Sequence, residues 1–77
     1  MLLPNKLFSY NQSILPKFPI VLSELKSKPM GVHELYKRVI RKMSGVNEFM
    51  ETLDCLYALG KIEYDEKKEV LRYVIRN

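Results

Sequence analysis

Apolar residues recur along this chain with two different periods, and the change of period divides it. From about Lys17 to Ser27, Phe18, Val21, Leu22 and Leu25 follow i, i+3, i+4, i+7 spacing, one face of an α-helix. Pro16 and Pro19 suit a helix start, where backbone donors lack partners anyway. Ser27-Lys28-Pro29 closes the helix, because the residue before a proline resists the α conformation. A second helix is predicted from about Val32 to Met43. Leu35, Val39 and Met43 form its stripe, widened by Val32, Tyr36 and Ile40. Ser44-Gly45 makes the turn, glycine being free to take the positive φ that ends helices. The third helix, about Val46 to Leu59, turns Val46, Phe49, Met50, Leu53, Leu56 and Tyr57 to one side, and Gly60 ends it.

Past Lys61 the period falls to two. Ile62 and Tyr64 alternate with polar neighbours, Asp65 to Glu69 is a charged turn, and Leu71, Tyr73 and Ile75 alternate again. Alternation on both sides of a short polar loop predicts a β-hairpin over 61–77. Three helices followed by a hairpin is the order of a winged helix-turn-helix, a mainly α fold with a two-stranded wing (α+β). The Leu56 to Ile62 segment resembles the point where many winged-helix domains leave the third helix and enter the wing. The domain is assigned to 12–77. Residues 1–11 read as an extended N-terminal arm, apolar at Leu2, Leu3, Leu7 and Phe8 but broken by Pro4 and Asn5. Two destinations suit such an arm: its own domain, or another chain, a second copy included.

Length and composition narrow the class. A chain of 77 residues holds one domain, and one so small leaves much of its surface uncovered unless a partner adds to it. The single cysteine, Cys55, excludes an internal disulfide and fits a reducing compartment. The N-terminus lacks the layout of a secretion signal, and no apolar run reaches the length of a membrane span. A cytoplasmic protein without membrane contact is expected.

The net charge of +4 is unevenly spread, and that changes the picture. A reading helix in a major groove needs Arg, Lys, Asn or Gln. Residues 46–60 instead carry Glu48, Glu51 and Asp54 with no base, a net charge of −3. That face would meet phosphates with like charge, which costs affinity. Only Asn47 is a candidate base reader. The acidic face is either a solvated surface or half of an electrostatically complementary interface. The second helix carries the opposite sign, with Lys37, Arg38, Arg41 and Lys42 in a strip. Such a strip is a solvated face, a protein contact, or a phosphate contact that reads no sequence.

Residues for catalysis are scarce. His33 is the only histidine and falls on the polar face of the second helix. Cys55 falls opposite or beside the apolar stripe of the third helix, next to Asp54 rather than the positive charge a reactive thiol needs. No His/Cys spacing suits zinc. Gly31, Gly45 and Gly60 separate elements and form no phosphate loop. Tyr57, Tyr64 and Tyr73 fit core and wing packing better than base stacking. No catalytic, cofactor-binding or metal-binding residue is assigned, and the chain reads as a non-enzyme.

Three stretches resemble a known group: Met1 to Lys6, Ser13-Ile14-Leu15 leading into the first helix, and Leu53 to Ile62. They are similar to the short middle components of bacterial ABC-three-component systems, especially the middle component 6 type. The resemblance implies a small winged-helix subunit encoded between an SMC/Rad50-like ATPase and an effector, often a nuclease. It implies a part in Lamassu-like defence against phage and plasmids, as an adaptor between the two. It brings no catalytic and no base-reading residue. The arm (Leu2, Leu3, Leu7, Phe8) and the basic strip (Lys37, Arg38, Arg41, Lys42) are then the expected contacts. The alternative is a DNA-binding winged helix, either a transcriptional regulator or a sequence-independent duplex-backbone binder. Homodimerisation through the arm or the wing strand Leu71–Ile75 is a third reading.

Overall fold

A computed structural model of the chain describes residues 14–75. The expected arm lies outside them. Helix α1 spans Phe18–Ser27 and follows a 3-10 turn, Leu15–Lys17; each begins with a proline in its first turn. Lys28, just before Pro29, is extended and ends α1. Helix α2 spans Val32–Val39. Its last turn, Ile40–Lys42, tightens to 3-10 rather than continuing as α-helix to Met43. The tightening satisfies an otherwise orphaned carbonyl, since the Met43 amide donates to Ile40 O at 3.1 Å.

Helix α3 spans Val46–Ala58. Gly45 ahead of it is extended, so the turn does not use the left-handed conformation expected of that glycine. At the other end Gly60 does use it, with φ 73°. The Gly60 amide donates to Tyr57 O at 3.0 Å and the Lys61 amide to Leu56 O at 2.9 Å. This pair of bonds is a Schellman closure, and it turns the chain directly into the hairpin.

Strands β1 (Ile62–Asp65) and β2 (Val70–Tyr73) pair antiparallel, with Ile62 opposite Tyr73 and Tyr64 opposite Leu71. The second strand is shorter than the alternation suggested. Ile75 lies beyond it and is 78% exposed. On its other side β2 meets Met30 through an isolated antiparallel bridge to Leu71. The arrangement is the winged-helix layout, three helices and a C-terminal hairpin.

The core joins all five elements. Val21 and Leu25 of α1, Leu35 and Val39 of α2, and Phe49, Leu53 and Leu56 of α3 pack with Met30, Ile62 and Leu71. Tyr36 meets Phe49 edge to face, with ring centroids 5.1 Å apart.

Here the structure corrects the reading of α3. Phe49, Leu53 and Leu56 are buried as expected, but their companions are Thr52 and Cys55. Val46, Met50 and Tyr57 stand outside, 54%, 45% and 64% exposed. The apolar arc of α3 is wider than the face its neighbours cover. Thr52 can occupy the interior because its hydroxyl donates to Glu48 O at 2.7 Å, which removes the penalty of an unsatisfied polar group.

Candidate interaction surface

The surface of interest is formed by the outward sides of α2 and α3. Two helical turns at the start of each helix face each other. Between them Val32, His33, Tyr36, Val46, Phe49 and Met50 line an open, mostly apolar groove of about 300 Å³. Val32 is also exposed, at 39%. The Val46 and Met50 side of α3 continues along the helix to Tyr57, seven residues on.

Charged residues lie elsewhere on the exposed sides of the same two helices. His33 and Lys37 are one turn apart on α2, and Arg41 follows by the same spacing in the 3-10 turn. Lys37, Arg41 and Lys42 are exposed, and among the described residues their side chains make no ion pair. On α3, Asp54 is exposed one turn beyond Met50, with half-buried Glu51 beside it.

The structure divides both charged sets read from the sequence. Arg38 leaves the basic strip and turns to α1, its guanidinium 3.5 Å from Glu24 and 3.7 Å from Glu34. Glu34 also holds Lys28 at 3.1 Å. These pairs fasten α1 to α2. Glu48 likewise leaves the acidic face. One of its oxygens accepts from the Ser44 amide at 2.9 Å, which fixes the start of α3. The same oxygen lies 3.8 Å from Lys17 Nζ, which donates to Lys42 O at 2.8 Å. Lys17 thereby ties the chain before α1 to the turn between α2 and α3.

What remains on the exposed sides of the two helices is Lys37, Arg41 and Lys42 at the end of α2 and its 3-10 turn, and Glu51 and Asp54 on α3. The arm residues Leu2, Leu3, Leu7 and Phe8 lie outside the described residues. His33 is exposed and lines the groove, while Cys55 is buried. Among the described residues no cluster of His, Cys, Asp or Glu is placed to hold a metal ion. No helix among them is long and apolar enough to cross a membrane.

The wing is held by its own charges. Arg72 lies 3.0 Å from Glu63 and 3.8 Å from Asp65. Asp65 Oδ1 accepts from the amides of Lys67 and Lys68 at 3.0 and 3.1 Å. The Lys68 bond is the main reason the Asp65 carboxyl titrates below its ordinary value. Desolvation opposes it, while the Lys67 amide and the charges of Arg72 and Lys68 add to it. Tyr73 is covered by Lys26 Nζ, 5.2 Å from the ring centroid, which places that ring in packing between α1 and the wing.

The groove was missed in the sequence because Val46 and Met50 were assigned to the core. A usable signal was present. Val46, Phe49, Met50, Leu53, Leu56 and Tyr57 together span more of the helix than one packed face needs, so some had to stay outside.

The family model for the ABC-three component (ABC-3C) system Middle Component 7 matches residues 3–71. The resemblance described above is to the same group of middle components, but to its type 6; the matching model is type 7. No curated protein and no solved structure matches the chain.

Proposed function

The chain belongs to the ABC-three component system middle component 7 family, and from that premise we propose that it is a non-catalytic adaptor. It links an SMC/Rad50-like ATPase to an effector, a nuclease among the candidates, in a cytoplasmic anti-phage and anti-plasmid complex of Lamassu-like type. One observation carries the preference for protein over DNA. The helix that would enter a major groove presents Val46, Met50 and Tyr57, 54%, 45% and 64% exposed, beside Glu51 and Asp54. Apolar and acidic groups at that position supply hydrophobic burial and charge selection toward a protein. They offer nothing to phosphates.

Co-expression with the ATPase encoded beside it tests this reading. The intact chain is expected to co-purify with the ATPase, and a chain lacking residues 1–10 is expected to be lost from the complex. An intact complex without the arm would remove Leu2, Leu3, Leu7 and Phe8 from the contact. A chain that never co-purifies would overturn the adaptor assignment.

The second reading is contact with a duplex backbone through Lys37, Arg41 and Lys42, which stay exposed. It calls for affinity that falls steeply with salt and weakens on charge reversal of Arg41.

A further inference from the structure

We propose that the outward stripe of α3 receives a basic amphipathic helix of a partner protein. The partner helix lies along α3, its apolar side on Val46, Met50 and Tyr57 and its lysines or arginines toward Asp54 and Glu51. The inference rests on the reading of α3 as a protein contact and names the kind of element that makes it.

The stripe is straight and apolar. Val46, Met50 and Tyr57 are 54%, 45% and 64% exposed. At about 3.6 residues per turn the three lie within roughly 40° of one another, in a row about 17 Å long. With Leu53 between Met50 and Tyr57 the steps are four, three and four residues, the spacing at which one helix packs along another. Leu53 is already in the domain core, 7% exposed, so the other three remain for a partner. Val46 and Met50 also line the groove together with Val32 and Tyr36, so the apolar surface continues from the row across to α2. Contiguous apolar exposure of this kind marks a contact site more often than scattered single residues do.

The charge beside the row is of one sign. Asp54 is four residues after Met50 and three before Tyr57, a surface neighbour of both, and Glu51 is one turn before Asp54. Between 46 and 60 there is no base. Among the described residues neither Glu51 nor Asp54 has an ion pair, whereas Glu48 is taken up by Lys17. An apolar row alone would accept any apolar partner; the acids select one that sets Lys or Arg opposite them. A second copy laid α3 on α3 by a two-fold axis would instead bring acid to acid.

The partner's conformation follows from what α3 offers. Apart from its ends, its backbone groups are spent on its own helix. An extended segment would gain none of the main-chain bonds that hold a peptide on a sheet edge. Side chains at helical pitch mesh with side chains at the same pitch, ridges into grooves.

Two synthetic peptides of about three heptads test this against the full chain by NMR titration. Both carry leucines at the seam; one has lysines at the flanking positions, the other glutamates. The lysine peptide is expected to move the amides of Val46, Met50, Asp54 and Tyr57 and to bind roughly tenfold more tightly than the glutamate peptide. Glu51→Lys with Asp54→Lys is expected to invert that preference, and Met50→Ser with Tyr57→Ser to abolish binding of both peptides. Circular dichroism checks that each variant folds; Asp54→Lys alone, at an exposed site, serves should the pair not fold. The proposal is overturned by no binding at a few hundred micromolar, by binding indifferent to the flanking charge, by an uninverted preference, or by shifts away from α3. A wild-type dimer in sedimentation that Met50→Ser with Tyr57→Ser dissolves would give the stripe to a second copy and equally overturn it. Neither peptide comes from the ATPase or the effector. A chain that passes this test but never co-purifies with the ATPase keeps the helix site and loses the adaptor assignment, and the reverse result does the opposite.

Discussion

Met30 and Leu71 exchange both of their backbone hydrogen bonds, at 3.2 and 2.8 Å, across 41 positions of chain. This single bridge extends the two-stranded wing to a third segment and closes the domain between the end of α1 and the last strand. Both side chains are buried, at 2% and 6% exposure. The amides of Met30 and Leu71 are therefore expected to exchange with solvent together and slowly, at a rate set by opening of the whole domain. Hydrogen exchange followed by NMR measures this. Met30 exchanging at the rate of a free peptide while Leu71 is protected would show that the bridge does not hold.

Gly60 is the hinge between α3 and the wing. Its φ of 73° lies in the region where a β-carbon costs about 1–2 kcal/mol. Gly60→Ala is expected to lower unfolding stability by about 1 kcal/mol, read from the midpoint of a urea titration. An unchanged midpoint would mean the Schellman closure is not maintained in solution.

Much of the fold was legible because its signals are local. The prolines of α1, the turn at Gly60 and the two-residue period of the wing each act within a few residues of themselves, and the elements formed there. The limits of α2 and β2 were less legible, because the 3-10 turn at Ile40–Lys42 and the end of β2 at Tyr73 answer to tertiary packing. The Met30–Leu71 bridge gives no sequence signal, since one residue cannot show a period. The charged surface was legible in sign but not in membership. Arg38 and Glu48 looked like members of solvent strips, yet each is drawn to an oppositely charged neighbour from α1 or from the chain just ahead of it. The groove was hidden by α3's excess of apolar residues, where Thr52, able to bond its own helix, took an interior place that Met50 was expected to fill.

Glu48 holds the Ser44 amide just ahead of α3 and lies beside Lys17 at once. Glu48→Ala removes the acceptor for the Ser44 amide and is expected to cost about 1 kcal/mol, the usual net worth of one hydrogen bond. Lys17→Ala should cost less, and the double variant should fall short of the sum, because the two side chains share one contact. A double-variant cycle in urea measures the coupling. Strict additivity would mean that the 3.8 Å pair contributes nothing.

Asp65 makes the wing turn sensitive to acid. Its carboxyl is held below the ordinary value of 3.8, first by the Lys68 amide. A group depressed in the folded state stabilises above its unfolded pKa and loses that contribution as pH falls through its folded pKa. The turn is therefore expected to be intact at neutral pH and to loosen only below about pH 3.8. NMR titration of the Asp65 carboxyl carbon should give a midpoint under that value, with the Lys67 and Lys68 amide shifts following it. A midpoint at or above it would mean the two amide bonds are not formed.

The central claim is that the outward face of α3 serves protein rather than phosphate. The most direct measurement is to titrate the isotope-labelled chain with duplex DNA at low salt and follow the amides of Asn47, Met50, Glu51 and Asp54. The account predicts that these four do not move, with any shifts confined to the bases of α2 and the wing and abolished by added salt. Shifts concentrated on those α3 amides and persisting at higher salt would contradict it.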